Sequence, residues 1–446
     1  GYSYQNFKVK ELSIPGGSKT VYAFDPIGQV NHIKSFKNNG IDLLMDLAFV
    51  FDKEGKLTQK TSLAGNFSFQ YDALGQLETV DYPVLTDQIF TYDAVGNKLS
   101  DNLVPGAYQY NENSYLLTAG GESFSYDDNG NTLQRDDGNG KITQYVYDLD
   151  NRLVQVSSNL NGTLGEYYYD PFGRRLWKQT SSSKIYYMYA DEGLVAEFDN
   201  NGGQIRSYGF SPDGKWMTNP LFLKQGDNFY FYRNDQIGTP QLITDINDNI
   251  VWSANYQAFG TANIQSETIV NPLRFAGQYF DSESALSYNW QRYYDQSLGR
   301  YLRVDPVGFK KGRSFPYIYA ENDPINGIDP LGLCKWKGAV ANISVGEVVY
   351  GASASIMRLT SECCSKQKAR GTYAVLAGGL AVGATPVSAT ISEAELDGPD
   401  KPAKTHPEGV FAIAGASVVV GFGGGWSAMT TGSLSGKAQC IISRLS

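Results

Sequence analysis

Cysteine and histidine are almost absent from this chain of 446 residues. It has four cysteines, all at or after Cys334, and two histidines, His32 and His406. Zinc sites are built mainly from these two residue types, so the sequence argues against a zinc centre and against a nuclease site that needs several histidines. Carboxylate-only Mg²⁺ or Ca²⁺ sites stay open on composition alone. We expect neither a metal nor another cofactor.

Charged residues are also few, at 19% of the chain, and their signs are unevenly distributed. Residues 1–333 carry 27 Lys and Arg against 39 Asp and Glu, a net charge of −12, whereas residues 334–446 carry 10 against 7. An acidic surface repels phosphates, so we expect no nucleic-acid binding by the first part. No charged-then-apolar leader opens the sequence, and we expect it to be a piece of a longer, delivered protein.

Aromatic residues are abundant, at 13% of the chain with 31 Tyr and 22 Phe, and they recur in a repeated unit. The unit reads aromatic-x-Tyr/Phe-Asp-x-x-Gly-polar-x-Leu and mostly returns every 20 to 22 residues. Its clearest copies begin at Phe49, Phe69, Phe90, Phe124, Tyr145 and Tyr167. Alternating aromatics belong on one face of a strand, and Asp followed by Gly favours a tight turn. Each unit is therefore predicted to be a β-hairpin that buries its apolar face only by stacking on its neighbours.

The character of the chain changes between Arg292 and Leu333. Two Asp-Pro-x-Gly turns, Asp305–Gly308 and Asp329–Gly332, bracket an aromatic segment, and Leu333 follows the second. Beyond it lie about a hundred residues rich in Gly, Ala and Val that contain all four cysteines. A pair of carboxylates at such a junction suggests a chain that cuts itself there and separates a carrier from a payload.

The repeats and this junction resemble the RHS (rearrangement hotspot) or YD-repeat family, which includes bacterial polymorphic toxins, insecticidal toxin-complex components and teneurins. The resemblance rests on the YD units and on an ordered run of motifs between residues 229 and 333. These motifs are Tyr230–Pro240, Trp252–Gly260, Arg274–Asp281 and Tyr288–Asp295. It implies a mostly β fold, a spiralling antiparallel β-hairpin shell with a small C-terminal cargo domain. The implied domains are a repeat shell at 1–265, an RHS-associated core at 266–333 and a toxin or effector domain at 334–446.

The resemblance further implies that the two turns form an intramolecular aspartyl protease. Carried onto this chain, the catalytic pair is Asp305 and Asp329, and the scissile bond joins Leu333 to Cys334. Two neighbouring carboxylates repel each other, so that one retains its proton while the other is ionised. The ionised group then takes a proton from water and the protonated group polarises the scissile carbonyl.

Several neighbouring residues are predicted to support the pair. The prolines limit φ directly after each aspartate, and the glycines allow the turns to close. An arginine is expected to steady the ionised carboxylate, although no arginine directly precedes Asp305. Asp323, which also precedes a proline, is a competing carboxylate. The predicted supporting residues are Pro306, Gly308, Pro330, Gly332, Arg303, Arg300 and Arg274.

Cys334 raises a rival mechanism for the same bond. A thiol directly after a cleavable bond can attack the preceding carbonyl, as in self-splicing chemistry. No histidine lies nearby in the sequence to act as its base. We therefore favour the aspartates, and comparison of Asp305→Asn with Cys334→Ala distinguishes the two mechanisms.

Residues 334–446 leave two hypotheses open for the payload. One is a membrane-acting toxin, in which the apolar, small-residue stretches 373–390 and 410–425 insert into a target membrane as glycine-zipper helices or a glycine-rich hairpin. The other is a soluble toxic enzyme with those stretches as its core. Its candidate site residues are Glu393, Glu395, Asp397, Asp400 and His406. Of the two, the membrane hypothesis is slightly favoured because few nucleophile–base pairs exist.

The expected partners follow from the carrier hypothesis. They are the chain's own C-terminal cargo, an immunity protein and a target membrane, and the protein is expected to be secreted or delivered from a bacterium to a target cell. A different class of function is a surface adhesion or carbohydrate-binding protein whose exposed tyrosines stack on sugars. An uncleaved chain with an exposed C-terminus would favour that alternative.

Overall fold

The computed structural model describes residues 1–5, 8–211, 215–306 and 316–333, together with the strand backbone of residues 336–347, 350–361, 369–379 and 387–394. Residues 1–305 and 315–333 form one compact unit, and the strands after Leu333 belong to a second. The described part is almost entirely antiparallel β-structure. The mostly β fold predicted from the sequence is therefore confirmed.

The first unit contains two large sheets in which every strand pairs with its neighbours in the sequence. The ten-stranded sheet consists of β1 Tyr2–Gln5, β2 Lys8–Ser13, β3 Lys19–Phe24, β4 Val30–Phe36, β5 Leu43–Phe51, β6 Leu57–Ser62, β7 Gly65–Tyr71, β8 Leu77–Asp81, β9 Gln88–Tyr92 and β10 Lys98–Asp101. The sixteen-stranded sheet consists of β11 Gln109–Tyr110, β12 Leu116–Ala119, β13 Glu122–Tyr126, β14 Thr132–Asp136, β15 Ile142–Tyr147, β16 Leu153–Ser158, β17 Gly162–Tyr169, β18 Arg175–Gln179, β19 Lys184–Ala190, β20 Gly193–Phe198, β21 Gln204–Phe210, β22 Pro220–Gln225, β23 Asn228–Asn234, β24 Pro240–Thr244, β25 Ile250–Tyr256 and β26 Ala262–Glu267.

A four-stranded sheet follows, made of β27 Tyr279–Asp281, β28 Leu286–Asn289, β29 Arg292–Asp295 and β30 Arg300–Tyr301. A single helical turn spans Ala320–Asn322. Its three residues have φ of 46°, 57° and 60°, so the turn is left-handed. The second unit contains β31 Trp336–Glu347, β32 Tyr350–Ser361, β33 Ala369–Gly379 and β34 Val387–Ala394, in the order β33-β32-β31-β34.

One repeat unit illustrates how the sequence makes these strands. Asp72 directly follows β7, and its Oδ1 accepts hydrogen bonds from the backbone N–H groups of residues 74 and 76. Gly75 has a φ of +80°, which a residue with a side chain rarely adopts. Leu77 then begins β8 fully buried, and the Tyr71 hydroxyl donates to the Leu57 carbonyl of the preceding hairpin at 2.7 Å. The same Asp-to-Gly turn closes at 25–28, 52–55, 93–96, 127–130 and 170–173.

A buried charge cluster joins the sixteen-stranded sheet to the four-stranded sheet. Asp281 of β27 is fully buried and binds the guanidinium of Arg175 and the ammonium of Lys178, both from β18. Lys178 also pairs with Glu283 at 3.0 Å. Burial by itself raises the pKa of Asp281, but the two cations outweigh it and hold that pKa below its ordinary value. The four-stranded sheet is thus attached to the repeats by ionic as well as apolar contacts.

The segment of residues 316–333, called the crossing segment here, meets several repeat turns one after another. The Tyr317 hydroxyl donates to the carbonyl of residue 130 at 2.7 Å. The Asn322 amide donates to the carbonyl of residue 96 and to the side chain of residue 76. Asp323 pairs with Lys56 at 2.7 Å, and Asn326 accepts from the backbone of residue 57. The segment therefore reaches the turns at 127–130, 93–96, 72–75 and 52–55 in order along its own length.

For the second unit the structure describes only strand backbone, which can be compared with the two payload hypotheses. The parts of the apolar stretch 373–390 that lie at 373–379 and 387–390 are in strands β33 and β34 rather than in a helix. Among the described residues, no helix is both long enough and apolar enough to cross a membrane. The stretch 410–425 lies outside the described residues, as do Glu395, Asp397, Asp400 and His406, and the Glu393 side chain is not described.

Candidate active site

Three backbone elements converge on the predicted aspartate pair. The hairpin of β28 and β29 turns at Trp290 and Gln291, with Asn289 paired to Arg292 across the turn. The chain after β30 leads to Asp305, whose backbone N–H donates to the carbonyl of residue 316 at 2.8 Å. The crossing segment returns to the same place with Asp329. The hairpin register, rather than any local spacing, brings these residues together.

Asp305 and Asp329 both contact the same guanidinium nitrogen of Arg292. Nη2 of Arg292 is 3.1 Å from Oδ2 of Asp305 and 3.2 Å from Oδ2 of Asp329. The two carboxylate oxygens are therefore no farther apart than the sum of these distances. All three residues are buried, with side-chain exposures of 6% for Asp305, 10% for Asp329 and 2% for Arg292. A cation shared by two buried carboxylates offsets the repulsion between them.

Both carboxylate oxygens of Asp329 accept hydrogen bonds from neighbouring groups. Its Oδ1 accepts a hydrogen bond from the Leu333 N–H at 3.0 Å, and its Oδ2 accepts one from the Tyr301 hydroxyl at 2.8 Å. Burial raises the pKa of Asp329 above its ordinary value, although Arg292 and these hydrogen bonds act in the opposite direction. The carboxyl group thus holds a proton more readily than a carboxyl group in water.

The loop of residues 329–333 is fixed closely against the hairpin turn. Asn289 Nδ2 donates to the carbonyl of residue 329 at 2.7 Å, and Arg292 Nε donates to the carbonyl of Gly332 at 2.7 Å. Gly332 has a φ of +65°, and a Cβ atom there would lie 2.5 Å from the Asn289 carbonyl oxygen. Glycine at this position is therefore required by both conformation and space.

The three arginines predicted to support the pair do not make the contact that the structure assigns to Arg292. Arg300 donates to the carbonyl of residue 114 and Arg274 pairs with Glu267 at 3.6 Å. Arg303 is near enough to feel the charges of Arg292 and Asp305, but its guanidinium donates to the carbonyls of residues 150 and 291. Burial, followed by the charge of Arg292, lowers the pKa of Arg303 to about 10. We therefore correct the assignment of the bridging arginine to Arg292.

The other predicted residues lie at several different places. Pro330 and Gly332 lie in the loop beside the pair, Pro306 directly follows Asp305 and is exposed, and Gly308 and Cys334 lie outside the described residues. Asp323, considered as a competing carboxylate, forms its ion pair with Lys56 and accepts from the Asn326 amide at 2.7 Å. It is held by the repeat turns and binds none of the donors that contact Asp329.

Sequence reasoning missed three side chains of this site: Asn289, Arg292 and Tyr301. In the sequence, Arg292 belongs to the Tyr288–Asp295 motif and begins the junction, but neither feature predicts a role for it. Its guanidinium packs 3.5 Å from the centre of the Tyr301 ring, and Asn289 donates to the Tyr301 hydroxyl at 2.8 Å. The only available signal was that all three lie in the aromatic run before Asp305.

Chemically, the arrangement offers two carboxyl groups in a water-poor environment with one cation between them. Such a pair can exchange a single proton, which is what acid–base cleavage of an amide needs. Within the described ranges, no group of three or more His, Cys, Asp or Glu side chains is placed to hold a metal ion. The site therefore has the components for proton transfer on a nearby peptide bond.

Comparisons with known proteins agree with this architecture. Residues 5–325 match the family model described as Teneurin YD-shell. The double-stranded DNA deaminase toxin A of Burkholderia cenocepacia is 30% identical over 70% of this chain and 24% of its own length. The tRNA nuclease WapA of Bacillus subtilis is 27% identical over 74% of this chain and 14% of its own length. The chain thus spans about a quarter or less of these relatives.

Solved structures show the same fold at low sequence identity. The Tc holotoxin pore of Photorhabdus luminescens superimposes with a TM-score of 0.52 at 16% identity, covering 74% of this chain and 19% of that one. A TcdB2-TccC3 structure gives a TM-score of 0.50 at 17% identity, covering 74% and 20%. The family match extends over most of the chain and includes the repeats and the hairpin that carries Arg292. The chain therefore belongs to the YD-shell family, the RHS or YD-repeat family of polymorphic toxins that its sequence resembles.

Proposed function

We propose that this protein is a toxin carrier that cleaves its own chain once, between Leu333 and Cys334, and so frees residues 334–446 as cargo. The observation that carries the proposal is the geometry of the aspartate pair. Two buried carboxylates share Arg292, and one of them binds the N–H of Leu333, the residue that precedes the scissile bond. A purely structural turn has no need of a second buried carboxylate at that point.

The proposed reaction begins with the pair sharing one proton. Asp329, whose pKa is raised by burial, holds the proton and polarises the Leu333 carbonyl, while Asp305 accepts a proton from the attacking water. A small cavity lined in part by Tyr147, Arg292 and Arg303 adjoins the site, and we propose that it supplies this water.

Collapse of the tetrahedral intermediate breaks the bond between the Leu333 carbonyl carbon and the Cys334 nitrogen. The nitrogen takes up a proton from the pair, and Leu333 is left with a new carboxylate. Arg292 keeps the total charge of the pair compensated throughout, so that neither carboxyl group has to leave the site. The products are a carrier that ends at residue 333 and a cargo that begins at 334.

The test is to follow the full-length chain made by cell-free translation on denaturing gels and to measure the masses of its products. We expect fragments ending at Leu333 and beginning at Cys334, and an uncut chain for Asp305→Asn and for Asp329→Asn. Asp323→Asn is the matched control, because it removes a partly buried carboxylate of the same crossing segment that pairs with Lys56 instead. If Cys334→Ala alone stays uncut while the aspartate variants are cleaved, the thiol mechanism replaces this one.

For the cargo, the names of the relatives favour a toxic enzyme that acts on nucleic acid. They include a DNA deaminase toxin, tRNA nucleases and the probable deoxyribonuclease RhsA of Dickeya dadantii. The family match ends at residue 325, so this support comes from the kind of carrier rather than from the cargo sequence. The same names favour a toxin carrier over a surface adhesion protein.

Cargo activity can be tested with the whole cleaved protein after unfolding releases residues 334–446. Incubation with tRNA and double-stranded DNA tests the enzyme, and dye release from liposomes tests the membrane-acting alternative. Nucleic-acid damage that is lost in His406→Ala supports the enzyme, whereas dye release without such damage supports membrane action. We also propose that the producing bacterium makes an immunity protein against this cargo and that the protein is delivered to a target cell.

A further inference from the structure

The turn between β28 and β29 holds the loop that leads to the proposed scissile bond. Asn289, Gln291 and Arg292 each donate one hydrogen bond to it. Their acceptors are the backbone carbonyls of residues 329, 331 and 332, at 2.7, 3.2 and 2.7 Å. The position of this turn therefore sets the position of Asp329 and of the bond after Leu333.

Trp290 occupies the first central position of that turn with a φ of 45°. In two-residue hairpin turns, a positive φ at this position is usually supplied by glycine, because other residues are strained there. A bulky residue persists in such a conformation only where its surroundings hold it. The side chain of Trp290 must therefore gain contacts that compensate for the strain.

Those contacts come from the repeats. The Trp290 indole Nε1 donates to the Phe172 carbonyl at 3.1 Å, and its ring packs against Trp216 with the ring centres 4.1 Å apart. Phe172 lies in the repeat turn at 170–173. Just before Trp290, the Tyr288 hydroxyl accepts a hydrogen bond from the Arg175 backbone N–H at 2.9 Å. The turn that carries Asn289 and Arg292 is thus attached to the repeat sheet from outside the site.

We propose that Trp290 is a positioning residue that couples the assembled repeats to self-cleavage. When the repeat turn at 170–173 and Trp216 are in place, they hold Trp290, and Trp290 holds Arg292 between the two aspartates. A chain whose repeats have not stacked leaves the turn free to relax and the carboxyl pair unformed. Cleavage then occurs only after the carrier around the site has folded, and this inference rests on the proposed aspartyl cleavage.

The central experiment measures the cleavage rate of the full-length chain, made by cell-free translation, for Trp290→Gly and Trp290→Phe. Glycine tolerates the positive φ, so Trp290→Gly removes the contacts to the repeats without adding backbone strain. Misplacing reacting groups by about 1 Å costs up to about 10²-fold in rate, so we expect cleavage about tenfold to hundredfold slower. Trp290→Phe keeps a ring against Trp216 but lacks the N–H donor. Its cleavage rate should therefore lie between that of the wild type and that of Trp290→Gly.

A matched control is Tyr168→Ala. Tyr168 is an exposed aromatic of the same repeat sheet that stacks on Trp177 with ring centres 5.6 Å apart, and its loss should leave cleavage unchanged. Folding is checked by thermal unfolding of each variant in an Asp305→Asn background, in which the chain stays uncut. If Trp290→Gly does not fold, Trp290→Phe alone decides.

A second readout distinguishes positioning from general destabilisation. If Trp290 acts by placing Arg292, the alkaline limb of the pH–rate profile, which is set by loss of the Asp329 proton, should move to higher pH in Trp290→Gly, because a displaced guanidinium lowers the pKa of Asp329 less. A folding defect alone would reduce the rate equally at every pH. The charged and titratable groups that face the pair are Arg292, Arg303, Tyr301, Tyr319, Asp305 and Asp329.

The outcomes separate this inference from the proposed function. If the wild-type chain is not cleaved after Leu333, or if Asp305→Asn is cleaved normally, the aspartyl mechanism itself is wrong. If the wild type is cleaved and Asp305→Asn is not, but both Trp290 variants are cleaved at the wild-type rate, the positioning role is wrong while the mechanism stands. Slow cleavage with an unshifted pH profile also overturns the positioning role.

Discussion

Replacing Arg292 by methionine tests the charge arrangement of the candidate site most directly. Methionine fills a similar volume but leaves Asp305 and Asp329 buried without the cation that lies 3.1 and 3.2 Å from their oxygens. The change also removes the donor to the Gly332 carbonyl and the packing of the guanidinium over the Tyr301 ring at 3.5 Å. Both the chemistry and the stability of the site should respond.

The expected magnitudes follow from the burial of the three groups. Breaking a buried ion pair by removing one partner costs about 3–5 kcal/mol of unfolding free energy, because the remaining charge stays uncompensated. Loss of one positioned donor at a reaction centre slows the chemical step by about 10²–10³-fold. Arg292→Lys should be intermediate in both, since an ammonium is a point charge and lacks the planar set of donors that reaches both carboxylates and the carbonyl.

The pH dependence has a definite sign. The pKa of Asp329 in the folded protein is already raised by burial, and loss of Arg292 raises it further. A carboxyl group with a raised folded-state pKa destabilises the fold when it is forced to ionise, so its penalty is absent below the unfolded value of about 3.9. The penalty then grows as pH rises from that value to the folded pKa, and it is complete above the folded pKa. The instability of Arg292→Met should therefore be largest near neutral pH and smaller in acid.

Two measurements check this reasoning. Cleavage of the Arg292 variants is followed on gels after cell-free translation, and unfolding of the uncut Arg292→Met chain is followed in urea at neutral and acid pH. Adding Asp305→Asn to Arg292→Met should recover stability at neutral pH, because it removes one of two repelling charges. An Arg292→Met chain that cleaves at the wild-type rate, or that gains nothing from acid or from Asp305→Asn, would refute the shared-cation account.

Three further predictions concern neighbouring contacts. Asp281→Asn should lower the unfolding free energy by about 3–5 kcal/mol in urea titrations, because it leaves the guanidinium of Arg175 buried without its carboxylate; a change within 0.5 kcal/mol would contradict this. Tyr301→Phe removes a 2.8 Å hydrogen bond to Asp329 that lowers the pKa of this proton donor, so cleavage on gels should be about tenfold slower, with the alkaline limb of the pH–rate profile at higher pH. Gly332→Ala should abolish cleavage, since its Cβ would lie 2.5 Å from the Asn289 carbonyl; a fully cleaved product would show that the loop is less confined than the structure indicates.

The repeat fold was predictable because its determinants are local. The alternation before Asp72, the positive φ at Gly75 and the buried Leu77 all lie within one short stretch of sequence. Each copy repeats the same physics, so the hairpins and their stacking could be read from one unit. The domain boundaries at 265 and 333 stay predictions.

The bridging arginine was not predictable because it depends on long-range register. Arg303 is close to Asp305 in sequence, yet its guanidinium donates hydrogen bonds to the carbonyls of residues 150 and 291. Arg292 reaches the pair because β29 runs antiparallel to β30, which places Tyr294 opposite Tyr301. Asp323 is a similar case, since its partner Lys56 lies 267 residues away in the sequence. Neither pairing can be predicted from the spacing of residues along the sequence.

The ordered contacts of residues 316–333 with successive hairpins constrain how such chains can diversify. The crossing segment contacts turns that are about one or two repeats apart, through Tyr317, Asn322 and Asp323. Inserting or deleting a single hairpin between residues 52 and 130 would therefore move the later contact partners out of reach of this segment. Gains and losses of repeats in this stretch would have to be matched by a new spacing in residues 316–333. Length variation should therefore be poorly tolerated between residues 52 and 130 unless residues 316–333 change with it.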